Sequence, residues 1–215
     1  MPSDLHSAEA PVDKTAFDKY FAGKHFSVDW TSWHFPNWAA CFASRRHSSV
    51  KILEIGSFEG RSAIFFLNYL PKSSIVCIDT FLGGPEHVDP QSPTFSDMLE
   101  VERRFDSNMQ EYADRCEKII GLSSDEIPKL AFENRRFDLI YVDGDHRAVR
   151  SYADACLAWP LLVQGGLMVF DDYLWKPESP ELERPKLGID SFLQANLGNY
   201  KLLHSNYQII VEKLK

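Results

Sequence analysis

The chain has 215 residues, 44% hydrophobic and 25% charged, which suits one domain built around one well-buried core. Its formal net charge of −8 argues against general affinity for nucleic acid, which needs a basic surface to replace counterions. Cys41, Cys77, Cys116 and Cys156 form no C-x-x-C pair and no Cys/His cluster, which argues against zinc. Cys77 lies in an apolar run and reads as a small buried hydrophobe.

No apolar run reaches the length of a membrane span, and the N-terminus shows no basic region followed by an apolar stretch. No membrane contact is expected, and a reducing cytoplasm is the expected compartment. Residues 1–14 mix Pro, Ser, Asp and Glu and read as a flexible tail. Residues 15–47 carry Phe17, Tyr20, Phe21, Phe26, Trp30, Trp33, Phe35, Trp38 and Phe42 at helix-like spacing, interrupted at Pro36. They predict an N-terminal helical layer, some of whose rings wall a substrate pocket; the segment also leaves room for a homodimer.

From residue 48 the pattern alternates strand and helix to the end of the chain. Strands are expected at 50–55, 74–79, 117–121, 137–143 and 166–170. Helices are expected at 62–69, 96–116, 124–132, 148–157 and 189–196, with long loops over 80–98 and 173–186. Two further strands, 200–204 and 207–212, flank Ser205-Asn206 as a hairpin. The expected fold is α/β: a Rossmann-like, doubly wound, seven-stranded sheet, mostly parallel with a C-terminal antiparallel hairpin. Such sheets bind ligands beyond the carboxyl ends of their strands, and Glu54, Asp79, Asp143 and Asp171 all fall at or beside such ends.

Three constellations carry chemistry. In Glu54-x-Gly56-x-x-x-Gly60, Gly56 allows a tight turn and Gly60 a close backbone approach, so amides at the helix start can face a ligand. The dinucleotide spacing G-x-G-x-x-G is absent, which sets an NAD enzyme aside, and Glu54 and Glu59 would repel a pyrophosphate. A ligand with an amino group, a sulfonium and no phosphate, S-adenosylmethionine, suits the turn better. Asp79, at the next strand end, can accept hydrogen bonds from two ribose hydroxyls. In Asp143-Gly-Asp-His146 with Asp171-Asp172, carboxylates at neighbouring strand ends would meet, and a hard divalent cation is their simplest neutraliser. His146 stands where a general base is needed for an acceptor hydroxyl.

Leu53-Glu-Ile-Gly-Ser-Phe-Glu-Gly-Arg-Ser62, Cys77-Ile-Asp-Thr-Phe81, Tyr141-Val-Asp-Gly-Asp-His146 and Gly165-Gly-Leu-Met-Val-Phe-Asp-Asp-Tyr173 resemble class I methyltransferases of the methyltransferase domain 24 type. That group is similar to metal-dependent sugar O-methyltransferases and, more distantly, to catechol-type enzymes. The resemblance implies that Glu54, Gly56, Ser57, Gly60 and Ser62 hold the methionine part of the cofactor, Asp79 the ribose, and Thr80, Phe81 and Ser123 the edge of the adenine. It implies Mg2+ or another divalent cation on Asp143, Asp171 and Asp172, with Asp143 and His146 catalytic. The segment Gly83-Gly-Pro-Glu-His87 departs from the pattern and leaves the acceptor open between a sugar and another small metabolite. A metal-independent N-methyltransferase and a non-catalytic cofactor-binding scaffold are the alternatives. DNA methylation is set aside, because the chain is acidic and lacks an Asn/Asp-Pro-Pro-aromatic motif after the fourth strand.

Overall fold

The computed structural model describes residues 14–91 and 98–215. The expected tail, apart from Lys14, and residues 92–97 of the expected 80–98 loop lie outside them. Seven strands form one sheet: β1 (Lys51–Ile55), β2 (Ser74–Asp79), β3 (Cys116–Ile120), β4 (Phe137–Val142), β5 (Leu162–Phe170), β6 (Tyr200–Ser205) and β7 (Ile209–Lys213), in the order β3-β2-β1-β4-β5-β7-β6. The first five pair in parallel, while β7 runs antiparallel between β5 and β6. From β1 the chain winds outward to β3, then returns to β4 and winds the other way. The switch point therefore falls between β1 and β4, where an open parallel sheet presents its ligand crevice.

The helices are α1 (Phe35–Phe42), α2 (Arg61–Tyr69), α3 (Pro85–Val88), α4 (Met98–Met109), α5 (Ser123–Phe132), α6 (Ala148–Ala158) and α7 (Lys186–Ala195). One face of the sheet packs on α2, α4 and the N-terminal aromatics, and the other on α5, α6 and α7. That two-sided cover explains why β1, β2 and β4 are runs of buried apolar residues without alternation. Helix α2 lies between the sheet and the N-terminal layer, so it is apolar almost all round. Trp38, Phe35 and Phe65 are fully buried and in mutual ring contact; burying side chains of this size contributes about 1.5–3 kcal/mol each.

Four expectations need correction. The N-terminal layer is only partly α-helical: residues 14–21, 32–34 and 43–45 are 3-10 turns, and Pro36 sits in the first turn of α1, where its missing N–H costs nothing, instead of interrupting a helix. The expected loop at 80–98 contains the short α3, and the helix after it ends at Met109, not at 116. Strand β5 begins at Leu162, because Gly165, at φ +75°, absorbs a register shift against β4 that reads in the sequence as a break. The final turn is Asn206-Tyr207-Gln208, closed by the Asn206 amide on the Gln208 carbonyl at 3.0 Å. No helix among the described residues is long and apolar enough to cross a membrane.

Candidate active site

The turn after β1 is fixed by its neighbours. The Gly56 amide donates to the Ile78 carbonyl and the Asp143 amide to the Ile55 carbonyl, both at 2.9 Å. Gly56 has φ +82°, and a Cβ there would stand 1.9 Å from the Asp143 carbonyl oxygen. The next two amides, of Ser57 and Phe58, both donate to Asp79 Oδ2 at 2.8 Å, while Phe81 N–H donates to Asp79 Oδ1 at 2.7 Å. Asp79 thus ties the loops after β1 and β2 together. Gly60 is the left-handed residue that starts α2, at φ +80°, and it faces Met109 and Phe105.

Glu59 needs correction. Instead of facing the crevice it accepts the Ser27 amide at 2.6 Å, the Ser27 hydroxyl at 2.7 Å and the Arg104 guanidinium, so it anchors the N-terminal segment to α4. Glu54 behaves differently. It is fully buried; among the described residues its Oε2 receives the Cys77 thiol at 3.4 Å and its Oε1 has no hydrogen-bond partner. Burial pushes it up to about 7, against the pull of Ser57, Ser62 and Cys77. The Ser57 hydroxyl is buried and unpartnered as well. Two orphaned buried oxygens at the end of β1 suit a cationic donor such as the ammonium of a bound amino acid.

On the nucleoside side the expected residues are less free. The Ser123 hydroxyl donates to buried Asp154, and the Thr80 hydroxyl accepts the Leu82 amide at 3.2 Å. The Phe81 ring is buried against Phe105 and below the Lys118 ammonium, which leaves only its backbone, at φ +52°, for a ligand.

Beyond β4 and β5 the acidic residues meet. His146 Nε2 lies 2.9 Å from Asp172 Oδ2 and 3.8 Å from Asp143 Oδ1. Asp143, His146 and Asp172 each present one ligand atom within 4.8 Å of the others. Asp171 is adjacent, but one of its oxygens accepts the Tyr141 hydroxyl and the other the Asp172 amide at 2.7 Å. Burial and the neighbouring carboxylates push Asp143 well above the usual range and Asp171 up to about 7. Asp172 is also desolvated, yet His146 and the Tyr207 hydroxyl, 2.7 Å from its Oδ1, hold it below the usual range. Clustered carboxylates that resist ionisation are the donor set a hard divalent cation relieves.

Asp143, His146, Asp171 and Asp172 lie together, but the three with ligand spacing are Asp143, His146 and Asp172 instead of the expected Asp143, Asp171 and Asp172, and, Tyr141 apart, the rings around them are unmarked in the sequence. Tyr141 and Tyr207 hold the carboxylates, Trp175 packs on His146 at 4.4 Å, and buried His34 places Nε2 at 3.6 Å from Asp171 Oδ1. Burial pushes His34 down to about 4. Only Tyr141 carried a local signal, two residues before Asp143 on the same strand face.

A family model described as a methyltransferase domain matches residues 53–173, which hold the turn, the nucleoside-side residues and the acidic centre. The chain belongs to this family. The chain is 27% identical over 170 residues to an 8-demethyl-8-(2-methoxy-alpha-L-rhamnosyl)-tetracenomycin-C 3'-O-methyltransferase of Streptomyces olivaceus, covering 74% of this chain and 37% of that one. It is similar in structure to an O-methyltransferase of Bacillus cereus in complex with SAH, at TM-score 0.65 and 18% identity, over 99% of this chain and 94% of that one. It is also similar to the MycE methyltransferase of the mycinamycin pathway, in complex with Mg, SAH and mycinamycin VI, at TM-score 0.63 and 18% identity over 94% and 54% of the two chains. The chain thus spans about a third of its curated relative and half of MycE, and the structural likenesses establish the methyltransferase fold.

Proposed function

We propose that the chain is an S-adenosylmethionine-dependent O-methyltransferase that uses a divalent cation, Mg2+ first, on a hydroxyl of a sugar or another small metabolite. One observation carries the reading: buried Glu54 near the end of β1, with an unpartnered oxygen, and the acidic centre of Asp143, His146 and Asp172, just beyond the ends of β4 and β5, lie at the same edge of the sheet at the switch point. Glu54 and Ser57 would hold the methionine ammonium, and Asp79, beside the β1 turn, the ribose. Asp143, Asp171 and Asp172 would hold the cation, whose charge lowers the pKa of an acceptor hydroxyl. His146 takes the hydroxyl proton, and its contact with Asp172 fixes the ring for that task. Placing the hydroxyl in line with the methyl group supplies much of the remaining acceleration.

The rhamnosyl-tetracenomycin 3'-O-methyltransferase among the relatives supports a glycosylated acceptor, and the MycE complex with Mg and SAH supports the cation. A metal-independent reading has one observation in its favour: His146 and Tyr207 already engage both oxygens of Asp172. Titration calorimetry with adenosylhomocysteine, with and without EDTA, tests the cofactor, and labelled methyl transfer in EDTA tests the cation. No heat with adenosylhomocysteine overturns the proposal; transfer undiminished by EDTA leaves the metal-independent version.

A further inference from the structure

The family model begins at residue 53, and nothing in it bears on the segment ahead of β1. That segment reaches the acidic centre at one side chain. His34 closes the 3-10 turn Ser32–His34, is 2% exposed, and faces Asp171 Oδ1 with Nε2 at 3.6 Å.

The ring has little freedom. It lies at 3.7 Å from the Trp33 indole and is nearly parallel to that of Trp38, at 10° and 5.8 Å. Both indoles are themselves pinned: Trp33 Nε1–H donates to the Trp30 carbonyl and Trp38 Nε1–H to Gln208 Oε1, each at 2.7 Å. The turn is held from below, where Arg61 reaches Asp29 through Nε at 3.0 Å and Ser32 through its hydroxyl at 2.7 Å. Gln208 is buried and follows Tyr207, whose hydroxyl holds Asp172. Each of the paired carboxylates thus has a ring brought from a distant part of the chain: His34 at Asp171 and Tyr207 at Asp172.

A histidine that merely filled an aromatic stack would have no reason to aim a ring nitrogen at a buried carboxylate. We infer that His34 is a positioning residue of the acidic centre: standing behind Asp171, whose oxygens also accept the Tyr141 hydroxyl and the Asp172 amide, it helps set the direction in which that carboxylate presents to a divalent cation, so cation affinity depends on a residue outside the matched domain. The inference rests on the cation reading above. Groups that orient metal-binding carboxylates in this way typically contribute 10–100-fold to metal affinity.

The test uses the full chain, freed of metal with EDTA and titrated with Mn2+ by electron paramagnetic resonance, with adenosylhomocysteine affinity measured in parallel. Gln places an amide nitrogen near the position of Nε2, Asn near that of Nδ1, and Phe fills the space with no donor. Expected is about a 10–100-fold loss of Mn2+ affinity in H34F and H34N, rescue in H34Q, and unchanged adenosylhomocysteine affinity in all three. Wild-type Mn2+ affinity in H34F overturns the inference and leaves the cation reading standing. A wild-type protein that binds no Mn2+ removes both. A second measurement requires no folded variant of His34: Mg2+ added to wild-type protein with 15N-labelled histidine should shift the His34 ring signal together with that of His146. A His34 signal that stays fixed while that of His146 moves overturns the inference.

Discussion

A Cβ placed on Gly56 would stand 1.9 Å from the carbonyl oxygen of Asp143, so the turn after β1 and the acidic end of β4 touch backbone to backbone. Neither partner can yield by rotating a side chain. The left-handed φ of Gly56 alone costs an L-residue about 1–2 kcal/mol, and displacement of the Asp143 carbonyl adds to it. Gly56→Ala is expected to destabilise the fold by roughly 2–3 kcal/mol, a fall in Tm of about 4–12 °C for a domain of this size. Thermal denaturation by circular dichroism checks it; an unchanged Tm would contradict the close approach.

Glu54 imposes a pH dependence whose sign is fixed by burial. Its folded value, about 7, lies above the ordinary 4.5, so the folded chain holds this proton more tightly than the unfolded one. The resulting stability is present below about pH 4.5, declines as pH rises towards 7, and is flat above. An ammonium-bearing ligand favours the carboxylate, so adenosylhomocysteine affinity should rise up to about tenfold per pH unit below 7 and then level. Calorimetry between pH 5.5 and 8.5 measures it, and Glu54→Gln should both weaken binding and flatten the profile. A variant that keeps the wild-type slope would assign the effect to another group.

His146 is half-buried on Asp172 and Trp175, in the segment after β4, while Glu54 lies on β1. His146→Ala should therefore lower kcat by about 10²–10⁴-fold, the usual contribution of a positioned base, with adenosylhomocysteine affinity within about twofold of wild type. Asp143→Asn should remove turnover and cation binding together. A loss confined to cofactor binding in either variant would move that residue out of the acidic centre.

Glu59 gives a stability prediction with no catalytic content. Its side chain is 1% exposed and satisfies the Ser27 amide and hydroxyl and Arg104. Glu59→Ala leaves those donors in a dry place and should cost roughly 2–4 kcal/mol, somewhat softened because Arg104 can turn to water. Urea unfolding midpoints test the cost. Limited proteolysis should show faster cutting between residues 22 and 30, and equal cutting would show that the segment is held elsewhere.

What the chain discloses before folding follows the range of each interaction. The parallel strands are legible because burial on both faces makes them continuous apolar runs, and Glu54, Asp79, Asp143 and Asp171 stand out as charges at the ends of those runs. Glu59 is misread because the same local pattern serves an anchor as well as a ligand turn; what decides is Arg104, 45 residues away. His34 and Tyr207 carry no local mark at all, since they reach Asp171 and Asp172 only through α1 packing on the sheet and through the insertion of β7. Trp33, one of the rings at helix-like spacing, is 51% exposed, because it lies in a 3-10 turn and not in α1.

The placement of β7 sets an order of assembly. Strand β6 leaves the ribosome before β7, yet among the described residues β7 is its only neighbour in the sheet and separates it from β5. While translation is still short of residue 209, the half of the sheet formed by β1 to β5 can collapse, but β5 keeps one bare edge and β6 hangs free, an exposure that invites wrong pairing. Tyr207 rides in the turn between the two late strands, so its hydroxyl can reach Asp172 only once β7 has slid into place. The acidic centre is thereby completed by the closing step of the sheet, and a nascent chain that has not finished folding cannot display it intact.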